Sequence, residues 1–100
     1  MKRGHPEFYK ILEELADLHD KKNSNYAKEN DPLSNLRLVE QVMGVSAIQG
    51  IIVRLTDKLS RAGQLSSGKE DEVGESIEDT FKDIAVYACL AIVLWREQNK

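Results

Sequence analysis

Apolar residues return at helical spacing in four stretches of the chain, and nowhere do they alternate with polar ones as a half-buried strand requires. The first stretch places Phe8, Ile11, Leu12, Leu15 and Leu18 on one face. Pro6 suits the first turn, where its missing N–H is not needed, and Glu7 lies near the positive end of the helix dipole. This helix is predicted to run to about Lys22, where the chain turns polar from Asn23 to Asp31. Asp31 and Pro32 read as the cap and first residue of a shorter helix, with Leu36, Val39 and Met43 as its inner stripe and Gly44 at its end. Ser46 opens a third helix, with Gln49 as capping-box partner. Its apolar face is Ile48, Ile51, Ile52, Leu55, Leu59 and Ala62, and Gly63 weakens its end. Residues 66–74 have the composition of a solvated loop. Ser76, with Asp79 three residues on, opens a fourth helix expected to reach about Gln98. The expected fold class is all-α: a four-helix bundle with short connections, in a single domain of residues 1–100.

The fourth helix extends that picture beyond one chain. Ile84–Trp95 is apolar around the whole helix, with small Ala85, Ala88 and Ala91 allowing close approach. A helix apolar on every side must be surrounded. Four short helices cannot easily enclose one of their own, so a second chain is the expected cover. The expectation is a homo-oligomer completing the bundle, with a dimer favoured on symmetry grounds. The same run is twelve residues long, too short for a bilayer, so no membrane partner is expected. The amino terminus lacks the apolar stretch of a signal peptide, and the single cysteine, Cys89, excludes an internal disulfide framework. These features point to the cytoplasm, with Cys89 as an inert small hydrophobe. A net charge of −3 gives no general attraction to extended nucleic acid, so any phosphate recognition has to be local.

Two charged stripes are candidates for it. Arg54, Lys58 and Arg61 are spaced four and three apart and share a ridge of the third helix, with Asp57 beside them. Three such cations suit two phosphates of a small ligand, Arg by bidentate contact and Lys as a point charge. The alternative is a solvated flank whose long stems cover apolar surface. On the fourth helix Glu75, Asp79 and Asp83 form a row of carboxylates at four-residue steps. Their repulsion calls for compensation, and Mg²⁺ would supply it together with phosphate oxygens. Glu75 and Asp79 are also explained by the dipole and the cap. Asp83 is not: it lies a turn deeper, on a face continuing into Val86, Tyr87 and Leu90, which are expected to be buried. It is either part of a site or the partner of Lys58 or Arg61 in a plain salt bridge. Tyr26, in the polar stretch, is an aromatic available to stack on a base or to cover the core.

The segments KKNSNYAKENDPLSN, RLTDKLSR and ESIEDTFKDIAVYACLAI resemble phage and prophage proteins of the nucleotide modification associated domain family, over residues 8–95. Its most specific parts here are Asp57, Lys58 and Arg61, with Glu75, Asp79, Thr80, Asp83 and Tyr87. The resemblance implies an all-helical fold, a link to nucleotide metabolism, and a site that Asn25, Tyr26 and Asn35 also join. The chain is more loosely similar to all-α nucleotide pyrophosphohydrolases of the MazG type, which hold Mg²⁺ on acidic helices. Those enzymes carry Glu-x-x-Glu on one helix and Glu-x-x-Asp on the next. This chain has acids at four-residue steps and no clear acidic pair on its third helix.

Three functions fit these readings. The first is binding of a nucleotide or related phosphorylated small molecule with Mg²⁺-dependent diphosphate hydrolysis, the cations neutralising developing phosphate charge. The second is a phage protein that sequesters a host signalling nucleotide unchanged. The third is a helical interaction module whose stripes are ordinary salt bridges.

Overall fold

The computed structural model describes residues 3–26, 33–68 and 76–100, which form four helices and no strand. The chain is all-α. The helices are α1 (Pro6–Tyr26), α2 (Ser34–Met43), α3 (Ala47–Ser66) and α4 (Ile77–Gln98). By internal packing the chain divides into two compact units, Met1–Asn35 and Leu36–Lys100.

In the first unit α1 starts at Pro6 as its sequence predicts, and His5 closes the open end. The His5 Nδ1 accepts from the Glu7 N–H at 3.1 Å, and its carbonyl accepts from the Phe8 N–H at 3.0 Å. Tyr9 packs edge-on against Phe8 at 5.6 Å, and its hydroxyl accepts from the Gly4 N–H at 3.2 Å. The helix continues to Tyr26, past the end expected at Lys22. Asn23, Ser24 and Asn25 are weak helix formers, but none is a Gly or Pro that would stop a helix already running. The expected cap at Asp31 and Pro32 lies outside the described residues, and α2 is helical from Ser34.

The second unit is built on α3. Gly44, at φ 70°, takes the left-handed conformation that ends α2. The chain then turns so that α2 and α3 meet at 104°. Two devices hold this elbow. Ser46 and Gln49 form the expected capping box, with bonds of 3.1 and 3.0 Å. The Glu40 carboxylate reaches from α2 to accept from the Ala47 N–H at 2.9 Å, satisfying another open donor of the first turn. Gly50 lets α2 lie close, since a Cβ there would stand 2.9 Å from the Val39 Cγ1.

α3 and α4 pack as an antiparallel pair: Arg54 meets Tyr87 and, a turn later, Lys58 meets Asp83. Ala47, Ile51 and Ala62 from α3 and Thr80 and Leu94 from α4 are buried. The Thr80 hydroxyl donates to the Ser76 carbonyl at 3.2 Å, so its burial leaves no open polar group. α3 runs three residues past Gly63, whose carbonyl accepts from the hydroxyls of Ser66 and Ser67. Ser76 caps α4 by accepting from the Asp79 N–H at 3.0 Å. At the far end Arg37 of α2 donates to Glu97 of α4 at 2.8 Å.

α4 is less enclosed than its composition predicts. Ile84, Ala85, Val86, Tyr87 and Leu90 are half-buried, whereas Ala88, Cys89, Ile92, Val93 and Trp95 are exposed. Among the described residues α3 packs along one side of α4, and Cys89 is an exposed thiol, not an interior hydrophobe. No single helix among the described residues is long and apolar enough to cross a membrane.

Candidate functional site

The seam between α3 and α4 collects the charged stripes. In an antiparallel pair, four residues toward the C-terminus of one helix match four toward the N-terminus of the other. The ridge of α3 beside Ile51 and Leu55 therefore meets the row of α4 in register. Lys58 donates to the Asp83 Oδ2 at 2.9 Å, with side chains 27% and 14% exposed. Asp83 is thus a half-buried carboxylate, and Lys58, one of the two cations considered for it, meets it. One turn away Arg54 donates to the Tyr87 hydroxyl at 3.1 Å and lies 5.8 Å from the centre of its ring. Tyr87 is half-buried, orienting the guanidinium rather than filling the core. Nothing in the sequence gives this role away beyond the matching four-residue steps from Asp83 and from Lys58.

The remaining candidates are placed as follows. Arg61 is half-buried on the same ridge as Lys58. Asp79 is exposed in the first turn of α4, its backbone N–H held by Ser76. Asp57 is exposed on α3 and makes no ion pair among the described residues. Asn25 and Tyr26 fall in the last turn of α1, not in a loop, and Asn35 in the first turn of α2, but their side chains lie outside the described residues. Glu75 lies wholly outside them. No three His, Cys, Asp or Glu side chains among the described residues come together as a metal cage. Among the described acids, Asp83 is engaged by Lys58.

These features define a class: a small all-α protein whose two long helices meet along a seam of alternating cation and partner. The chain belongs to the family described as nucleotide modification associated domain 1, whose pattern matches residues 44–94. That stretch carries both halves of the seam. No curated protein and no solved structure matches the chain.

Proposed function

We propose that this chain binds a nucleotide or a related phosphorylated small molecule along the α3–α4 seam, as a phage-type protein acting in the host cytoplasm. The observation that carries this reading is the exposed Arg54 guanidinium, oriented by the hydroxyl and ring of Tyr87 and set one turn from Lys58. Tyr87 takes one of its five N–H donors and leaves an edge for a phosphate. Lys58 adds a point charge, and Arg61 extends the same ridge. The Lys58–Asp83 pair, and the lack of an acidic cluster among the described residues, favour capture without turnover.

A second reading, Mg²⁺-dependent hydrolysis of a nucleoside diphosphate or triphosphate, draws on Asp79, exposed one turn before Asp83, and on Glu75, four residues earlier in the sequence. One experiment separates the two. Calorimetry with linear and cyclic nucleotides, followed by mass spectrometry of the ligand, is expected to show dissociation constants below 1 mM, more favourable than about −4 kcal/mol. The ligand should be recovered intact, and Arg54→Ala should weaken it at least about tenfold, roughly 1.4 kcal/mol. Phosphate or pyrophosphate released with Mg²⁺ would establish the second reading. No binding below millimolar across the panel would overturn both.

A further inference from the structure

We propose that the outer face of α4 is covered by the same face of a second copy of this chain, the two helices running antiparallel. Phe81, Ala85, Ala88, Ile92 and Trp95 follow the alternating four- and three-residue steps of a helix-pairing seam. At these positions they lie opposite the side of α4 that Asp83, Tyr87 and Leu94 turn to α3. Phe81 is 53% exposed, Ile92 51% and Trp95 59%. An apolar helix face of this kind ordinarily has a partner.

The face complements itself. About a two-fold axis at Ala88, Phe81 of one copy lies opposite Trp95 of the other, and the small Ala85 and Ala88 permit close approach at the middle. Charge selects the direction. Glu78 lies at the N-terminal end of this face and Arg96 at the C-terminal end, on the same flank. Antiparallel copies bring Glu78, which Lys82 of its own helix also meets at 3.4 Å, toward Arg96, and the helix dipoles agree. Half-exposed Phe81 and Trp95 supply on the order of 200 Å² per copy. That is about a quarter of the roughly 800 Å² per partner of a stable interface, before Ile92, Val93 and the flanking side chains are added.

The only cysteine, Cys89, is exposed beside Ala88 and serves as an internal probe. Sedimentation equilibrium at concentrations of tens of micromolar should give a dimer, and a short bis-maleimide should join two copies through Cys89. Ala88→Arg should yield monomers that no longer cross-link, with an unchanged circular dichroism spectrum; if it fails to fold, Ile92→Ser is expected to give the same result. A native monomer overturns the proposal: a reactive Cys89 would mean a bare face, and a protected one a face covered by the chain itself. A dimer that survives these substitutions and resists cross-linking would place the interface elsewhere. None of these outcomes depends on a nucleotide, so failure here leaves the binding reading standing.

Discussion

Arg54 and Lys58 stand one turn apart, yet their partners differ in kind, and so should their responses to substitution. Lys58 holds a carboxylate that is largely buried, so Asp83→Asn removes a charge-assisted bond and should lower stability by about 1–2 kcal/mol, read from the urea midpoint. The same change removes the Asp83 charge from beside Lys58. If the seam captures phosphate directly, Asp83→Asn should therefore raise nucleotide affinity in calorimetry. A fall in affinity would indicate that the carboxylate itself serves the ligand, as the hydrolytic reading requires. The spacing of Arg54, Lys58 and Arg61 and of Asp79 and Asp83 was legible in the sequence, because a helix face is a local property. The contact of Lys58 with Asp83 was legible only as one of two possibilities, and the meeting of Arg54 with Tyr87 was not legible at all. Both need the register between two helices, which the loop between them hides.

At the scale of elements, two glycines of α3 offer opposite tests. Gly50 faces Val39, whose β-branched side chain is stiff and stands where a new methyl would come within 2.9 Å. Gly50→Ala should cost about 1–2 kcal/mol, the overlap outweighing the gain in helix propensity. Gly63 has nothing within 4 Å of its would-be Cβ. Gly63→Ala should stabilise by up to about 1 kcal/mol, and thermal melting of the two variants checks both signs. Caps were the most legible elements: Ser46 with Gln49, Ser76, Pro6 and Gly44 all act within a few residues of where they stand. The length of α1 was misjudged because polarity marks a change of surroundings, not a break in the backbone. Glu40 capping α3 was invisible, being a reach from a different helix across an elbow.

At the scale of the molecule, the hairpin of α3 and α4 is closed twice. The chain between Ser66 and Ile77 joins the helices at one end. At the other, α2 is fastened to both, by Glu40 to the first turn of α3 and by Arg37 to the last turn of α4. The Arg37–Glu97 pair is solvent-exposed, so Glu97→Gln should change global stability by no more than about 1 kcal/mol. It should nevertheless speed hydrogen exchange in the last turn of α4, because local opening is governed by what secures that end alone. The all-α class and the four helices followed from periodicity, whereas the strap did not, since nothing along the chain ties residue 37 to residue 97. Its consequence is mechanical. A clasp at the open mouth of a hairpin keeps the two arms from scissoring, so the spacing between Arg54 and Lys58 and their opposite numbers is held like that of teeth in a closed zipper, and the proposed guest would meet charges whose separation is already set.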